Sequence, residues 1–477
     1  MSEAKRLDVQ PTAIEGLLEL TLPVHADARG WFKENWQREK MVGAGLPNFR
    51  PVQNNVSFNA ERGTTRGLHA EPWDKYISVL SGKIFGAWVD LRPGPGFGAV
   101  HTAVVGPDSA LFIPRGVANG FQTLEDETVY SYLVTEHWTE QARSEYSYVN
   151  LADPALGIDW PIAIEEAIIS DADRNHPSLG NAKPVLPKKI AVFGGNGQLG
   201  RALAQLGKQD PRIEVFTRGE IDLERPDFLE GFPWASYSHV INAAAMTAVD
   251  EAENPLGRKT AWRVNATAVA DMAARSSQHG VKLIHVSTDY VFDGKDQCVA
   301  EDHPIAPLGV YGQSKAAGEA AVSSHQEHTV VRTSWVVGDG KNFVDTMFRL
   351  ATSGVSPQVI DDQFGRLTFA KDLADAILHL INTGQPGGIY HLQNEGPAAS
   401  WFDLAKAIYE LSGHDSGQVR PTSAAEYSRT VAMAAPRPRN STFSLEKIRA
   451  TGYEPTAYLV RLADYLKAKS EASQMVD

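Results

Sequence analysis

Tyr311 and Lys315, four residues apart in Tyr-Gly-Gln-Ser-Lys, are the first pair in this 477-residue chain able to do chemistry. On a helix that spacing puts both on one face. A free phenol titrates near ~10, and a neighbouring ammonium favours its phenolate, so such a pair can deliver a proton at neutral pH. The spacing is common by chance. Its weight comes from Ser-Thr-Asp-Tyr-Val-Phe-Asp-Gly at 287–294, which closes an apolar run and puts the Thr288 hydroxyl at the carboxyl edge of a sheet, where ligands of such sheets bind.

A second candidate centre is His69, in Gly-Thr-Thr-Arg-Gly-Leu-His-Ala-Glu-Pro. An imidazole oriented by a carboxylate can remove a proton α to a ketone, given a donor on the opposite face. Tyr132 fits the donor, and Arg29, Arg66 and Lys75 are cations able to clamp phosphates. The alternatives are a structural histidine and a metal ligand. A metal site needs a clustered histidine pair with a carboxylate and a further histidine. Here Ala70-Glu71 follows, and only His101 and His137 could join, so no metal is assigned.

The elements that must hold these groups differ between the halves. Phe-Gly-Gly-Asn-Gly-Gln-Leu-Gly at 193–200 follows the apolar run Ile190–Phe193. Strand, glycine turn and helix make a dinucleotide fingerprint, in which Gly194, Gly197 and Gly200 let backbone approach a pyrophosphate at a helix N-terminus. The next strand-like run ends in Thr217-Arg218 rather than an acid. Arg218 suits a ribose 2′-phosphate, which favours NADPH over NADH; a plain surface charge is the alternative. From 190 onward, strand-like runs (190–193, 212–216, 239–243, 282–287, 329–333) alternate with helical patterns (198–208, 258–279, 312–323), the mark of a helix-covered parallel sheet. Residues 1–150 instead carry short β runs (75–79, 84–91, 99–105, 110–113, 128–134) separated by turn signals such as Ser81-Gly82, 92–98, 106–109 and 114–120, which suggests a barrel or sandwich. The prolines of Asn181–Pro187 read as a short stiff linker. Residues 1–183 and 188–477 are thus expected as domains, with 184–187 between them.

Composition narrows the partners. A net charge of −13 without a long basic run argues against nucleic acid or an anionic membrane as partner. The single cysteine, Cys298, excludes an intramolecular disulfide. The first residues lack an apolar signal core and no stretch nears ~18 apolar residues, so a cytoplasmic location is expected.

Two resemblances sharpen this. Val-Ile-Asn-Ala-Ala-Ala-Met-Thr-Ala-Val-Asp-Glu-Ala-Glu, Leu-Ile-His-Val-Ser-Thr-Asp-Tyr-Val-Phe-Asp-Gly, Tyr-Gly-Gln-Ser-Lys-Ala-Ala-Gly-Glu and Asp-Gln-Phe-Gly-Arg-Leu-Thr make nearly all of 188–470 similar to dTDP-4-dehydrorhamnose reductase, an extended short-chain dehydrogenase of Rossmann fold. The resemblance implies Tyr311 as proton donor assisted by Lys315 and Thr288. It places Thr288, Asp289 and Trp335 on the sugar. Gly197, Gln198, Leu199, Asp222, Leu223, Ala243, Ala244, Ala245 and Val286 would line the cofactor. Met246 stands where an aromatic residue or histidine is usual. A magnesium ion is left open, with no ligand set that compels one.

Asp-Ala-Arg-Gly-Trp-Phe-Lys-Glu-Asn-Trp, Val-Gln-Asn-Asn-Val-Ser-Phe, Gly-Thr-Thr-Arg-Gly-Leu-His-Ala-Glu and Phe-Ile-Pro-Arg-Gly-Val-Ala-Asn-Gly-Phe make roughly 10–180 resemble dTDP-4-dehydrorhamnose 3,5-epimerase, a cupin-type double-stranded β-helix. That implies His69 as base, oriented by Asp173, and Tyr132 as acid. It puts Arg29, Glu34, Gln53, Asn55, Arg66 and Lys75 around the substrate; the Asn119 amide, by its own chemistry, can donate to an oxyanion. Three positions depart from the pattern: Asn119 replaces a second histidine, Ala172 a lysine and Glu71 a glutamine. The substrate implied for both halves is a dTDP-linked 4-keto-6-deoxyhexose, and a homodimer through the N-terminal half is expected. The alternative is a reductase carrying a narrowed or non-catalytic cupin module for binding or oligomerisation.

Overall fold

The structure, a computed structural model, describes residues 6–430 and 433–474. It divides into two compact units, Met1–Pro187 and Lys188–Asp477.

The first unit is two antiparallel sheets packed face to face. The six-stranded sheet runs Asp8–Pro11, Leu18–Thr21, Ser109–Ile113, Lys75–Ser81, Thr128–Val134 and Gln53–Asn59. The five-stranded sheet runs Ser147–Tyr148, Thr65–Ala70, Val117–Thr123, Ile84–Asp90 and Val100–Val105. Ile77 and Val79 from one sheet meet Ile84, Trp88 and Phe121 from the other in a closed apolar layer, as period-2 strands require. A separate hairpin, Val24–Asp27 with Gly30–Lys33, carries Arg29 at its turn.

Two sequence expectations change here. The segment 114–120, expected as a turn, turns only at its start, where Gly116 has φ +86°. Val117–Thr123 is a central strand. Its Asn-Gly lies where backbones crowd: a Cβ on Gly120 would stand 2.8 Å from Leu68 Cδ2 and 3.0 Å from Arg66 O, so glycine here marks close approach, not reversal. The expected linker is also not a free spacer. Ala182 and Val185 are buried in the first unit's core, and Val185 N–H donates to Leu91 O at 2.9 Å.

The second unit is built on a six-stranded parallel sheet ordered Ile213–Phe216, Lys189–Phe193, Tyr237–Asn242, Lys282–Thr288, Thr329–Thr333 and Gly388–His391. Both faces are covered, so its strands read as continuous apolar runs. Ile190 and Val192 pack on one side with Leu199, Leu203 and Ile377 of helices Gln198–Leu206 and Ala370–Asn382. Ala191 and Phe193 pack on the other with Val269 and Met272 of helix Ala268–Gln278. A further apolar cluster, with Trp335 and Trp401 packed on it, is supplied mainly by Phe343–Thr352, Trp401–Leu411 and Tyr458–Gln474.

Candidate functional sites

The second unit's site forms where the order of strands reverses, between Lys189–Phe193 and Tyr237–Asn242. Such switch points are where open parallel sheets bind ligands. Gly194 has φ +93°, and a Cβ there would lie 2.7 Å from Ala244 N, so the turn and Ala243–Ala245 meet backbone to backbone. Gly200 packs helix Gln198–Leu206 against Gly194 and Gly195, a packing role rather than a lining one. That helix starts at Gly197 with no side-chain cap, leaving its first N–H groups available to an anion, and Gln198 Oε1 is buried without a partner. These features fit a dinucleotide pyrophosphate.

The turn opens on a cavity of about 1380 Å3. Gly194, Gly197, Gln198, Leu199, Arg218, Asp222, Leu223, Ala243, Ala244, Ala245 and Val286 line it at the cofactor end. Thr288, Asp289, Tyr311, Lys315 and Trp335 line it too, so the structure gathers the expected reductase residues, except Gly200, around one space. Arg218 is mostly exposed and held between Asp222, at 3.4 Å, and Glu224, at 2.6 Å.

Tyr311 and Lys315 lie on helix Val310–Ser323, both buried. Burial pushes the Tyr311 phenol up to about 12; the Thr288 hydroxyl bonded to it pulls the other way, while Asp289 adds to the rise. Tyr311 is therefore a protonated donor in the free protein. Lys315 Nζ donates to Val286 O at 2.6 Å and lies 3.1 Å from His285 Nε2. Burial lowers it to about 7, against a smaller rise from Glu319. The ammonium expected to depress the tyrosine is thus itself depressed. Asp289 accepts from Thr288 Oγ1 at 3.0 Å and from Ser441 Oγ. Burial raises its carboxyl to about 6 despite those bonds. Trp335 sits at φ +45° and stacks on Trp401 at 3.6 Å between centroids. Its strained backbone is held by that stack and by Gly365, where a Cβ would stand 2.7 Å from the indole.

Sequence reasoning assigned no role to Ser441, Trp401 or Asn265. Asn265, in the π-turn Arg263–Thr267, bonds Met246 N and O and receives no exposure to solvent beyond 1%. It holds the segment after the third strand, so Met246 is fixed through its backbone whatever its side chain. Only the Val-Asn dipeptide in a helical pattern hinted at this.

In the first unit His69 Nε2 lies 2.8 Å from Asp173 Oδ1, which leaves Nδ1 as the nitrogen free to take a proton. Gly67 N–H donates to Asp173 Oδ2 at 3.3 Å. Burial would raise the Asp173 carboxyl, but its bond to His69, the charge of that ring, Gly67 N–H and His176 together hold it below the usual range. Asn119 and Tyr148 face His69 in register from the two neighbouring strands. Asn119 Nδ2 donates to Tyr130 Oη at 3.1 Å.

Tyr132 faces Asn55 across Thr128–Val134 and Gln53–Asn59, with Lys75 Nζ 5.5 Å from its ring centre. Burial raises its phenol, Glu71 adds to the rise, and Arg66 and the Asn55 hydrogen bond oppose it. Gln53 Nε2 donates to Asn55 Oδ1 at 2.9 Å, and Arg66 Nε to Asn59 Oδ1 at 3.1 Å. Glu71 forms a buried 2.6 Å ion pair with Lys75 and accepts from Trp73 Nε1 at 2.7 Å. The departure at Glu71 therefore neutralises a cation expected to face phosphates. Arg29 pairs with Asp27 at 2.5 Å on the exposed hairpin, and Glu34 with Lys40 at 2.9 Å.

His101 is bonded to Glu19, so it does not join His69. The histidine that does is His176, 3.7 Å from Asp173 Oδ1 and stacked on Tyr148 at 4.6 Å. Its place three residues after Asp173 was the available signal. The ligand atoms of His69, Asp173 and His176 fall within 4.8 Å of one another, at a contact that the His69–Asp173 hydrogen bond already accounts for.

Together the two units define a two-domain enzyme, an isomerase-type unit ahead of a reductase-type one. Residues 188–471 match the family described as the RmlD substrate binding domain, and residues 11–181 match dTDP-4-dehydrorhamnose 3,5-epimerase. The chain belongs to the RmlD family and carries a dTDP-4-dehydrorhamnose 3,5-epimerase domain ahead of that region. The first unit is similar to the protein RmlC homolog of Streptococcus pyogenes serotype M6, 52% identical over 182 residues, 37% of this chain and 91% of that protein. The second is similar to dTDP-4-dehydrorhamnose reductase of Mycobacterium tuberculosis, 40% identical over 281 residues, 56% of this chain and 88% of that protein. It also resembles the crystal structure of dTDP-4-dehydrorhamnose reductase from Bacillus anthracis in complex with NADP: TM-score 0.54, 33% identity, 59% of this chain and 99% of that one. Among the described residues no helix is long and apolar enough to cross a membrane.

Proposed function

We propose that the chain performs two consecutive steps on a dTDP-linked 4-keto-6-deoxyhexose: 3,5-epimerisation in a cupin-type first domain, then reduction of the C4 ketone in a Rossmann-type second domain, giving dTDP-L-rhamnose. The observation that carries this reading is the presence in one chain of an oriented His–Asp base and a Tyr–Lys pair beside a dinucleotide turn.

The C4 ketone acidifies the protons at C3 and C5. His69 removes each through Nδ1, and the Asp173 carboxylate stabilises the imidazolium formed. Tyr132, kept protonated, returns a proton to the opposite face. Asn119 sits beside His69 to donate to the enolate oxygen. In the second domain a bound NADPH supplies the hydride for C4. Tyr311 gives its proton to the C4 oxygen; Thr288 orients the phenol and Trp335 walls the sugar. Both domains grip the same nucleotide handle, and binding energy from that unreactive part positions the ring. The relative crystallised with NADP and the Arg218 position support NADPH as the reductant.

The test separates the halves. With Tyr311→Phe blocking reduction, the keto sugar incubated in D2O gains deuterium at C3 and C5 if the first domain is an epimerase. Label at one carbon means a narrowed enzyme, and none means a binding module.

A further inference from the structure

Behind the Tyr311–Lys315 pair lies a buried histidine to which the proposed mechanism gives no task, and the inference drawn from it rests on the reductase reading. His285, on strand Lys282–Thr288, is fully buried between Asn242 of the neighbouring strand and Lys315. Both ring nitrogens are engaged. Nδ1 lies 3.0 Å from Asn242 Nδ2 and Nε2 lies 3.1 Å from Lys315 Nζ.

The proton count in this chain is constrained. Ala244 N–H donates to Asn242 Oδ1 at 3.1 Å, which fixes the carboxamide, because turning it would set NH2 against N–H. An amide NH2 only donates, so His285 Nδ1 must accept and carries no proton. The neutral ring then holds its proton on Nε2, aimed at Lys315. Nε2–H can donate to Nζ only if Nζ offers a lone pair. An ammonium at Lys315 would place two donors against each other, and an imidazolium at His285 would do so at Asn242.

The surroundings agree. Among the described residues no carboxylate is ion-paired with Lys315. Glu319, on the same helix, is engaged by Arg332 of strand Thr329–Thr333 at 2.8 Å. Asn265, from the neighbouring Arg263–Thr267 turn, and Ser314, on the helix itself, are neutral, and Asn265 Nδ2 donates to Ser314 Oγ at 3.1 Å. Asp289, from the turn after the strand, raises Tyr311, whose phenol is on the helix beside Lys315. Burial pushes His285 well below the usual imidazole range, with the charge of Lys315 adding to it, and lowers Lys315 to about 7.

We propose that His285, fixed by Asn242, is a positioning residue that holds Lys315 as an uncharged amine in the cofactor-free protein, and that Lys315 takes up from solvent the proton consumed in the reaction when the anionic cofactor binds. The step balances. Hydride forms the C4–H bond and leaves an alkoxide; Tyr311 O–H protonates it; the Lys315 ammonium returns a proton to the phenolate and becomes the amine again. Charging Lys315 requires the His285 proton to move from Nε2 to Nδ1 and the Asn242 carboxamide to turn. That turn releases Ala244 N–H, and Ala244 lines the cavity. Cofactor binding at Ala244 and protonation of Lys315 are thereby linked.

The test uses the full chain. With 15N-labelled histidine and no cofactor, near pH 8 and so about one unit above the Lys315 value, the NMR signal lost in His285→Gln reports the His285 tautomer. The Nε2–H form is expected; the Nδ1–H form or an imidazolium overturns the proposal. Calorimetry of NADPH binding in two buffers of different ionisation enthalpy then counts protons. Native protein is expected to take up nearly one proton, Lys315→Met none and His285→Leu less than half. His285→Gln, which keeps an N–H toward Nζ, is expected to recover most of the uptake. Binding without uptake in the native chain also overturns the proposal. A failed reductase reading shows instead as absent ketone turnover, while the tautomer is read independently of it.

Discussion

Replacing Asp173 with asparagine tests the first active site at its most defined contact. The carboxylate accepts from His69 at 2.8 Å and from Gly67 N–H at 3.3 Å, and its side chain is only 10% exposed. Asparagine keeps the shape and one acceptor but removes the charge facing the imidazolium. A hydrogen bond to a charged group contributes about 1.5–3 kcal/mol. Lost only when His69 carries the proton, that amount corresponds to a fall of roughly 10- to 150-fold in the rate of proton removal. Substrate affinity is left nearly unchanged, because Asp173 touches the base and not the phosphates. The assay is deuterium incorporation at C3 and C5 in D2O, followed by NMR in a chain whose reduction is blocked by Tyr311→Phe. A loss in kcat within that range at constant KM is expected. A loss below about 3-fold, or one expressed wholly in KM, refutes the assignment of Asp173 as the group that stabilises the charged base.

Tyr311→Phe should lower ketone reduction by about 10²- to 10⁴-fold while shifting the NADPH dissociation constant little, read by turnover and fluorescence titration. Arg218→Ala should weaken NADPH more than NADH, narrowing the ratio of the two dissociation constants. Asp289→Asn should stabilise the second domain: its folded pKa of about 6 is raised above the unfolded value, so the native state binds the extra proton and loses stability as pH rises from about 4 to 6. At neutral pH the ionised carboxylate costs up to about 3 kcal/mol, which asparagine removes while keeping partners for Thr288 and Ser441. Urea unfolding should show the gain at pH 7 and its disappearance below about pH 4.

What was legible in the sequence was local. The glycine turn follows from φ requirements and a preceding apolar run, and Tyr311 with Lys315 from helical spacing. The parallel strands were legible because burial on both faces leaves them uninterrupted apolar runs. Val117–Thr123 was not, because its Asn-Gly copies a turn signal. What makes it a strand is the approach of Leu68 and Arg66 across the sheet, which no local pattern carries. Asp173 was placed by resemblance alone, 104 residues from His69. The Trp335–Trp401 stack and the Glu71–Lys75 pair needed the fold as well. His285 was visible as a residue but not as a proton holder, since its role depends on which way Asn242 points.

One chain is expected to invert C3 and C5 and then reduce C4. The full-length protein, given dTDP-4-dehydro-6-deoxy-D-glucose and NADPH in D2O with no second enzyme, should yield dTDP-L-rhamnose deuterated at both C3 and C5, with one NADPH oxidised per product. Product lacking label at either carbon, or NADPH oxidation that begins only when a separate epimerase is added, would contradict it.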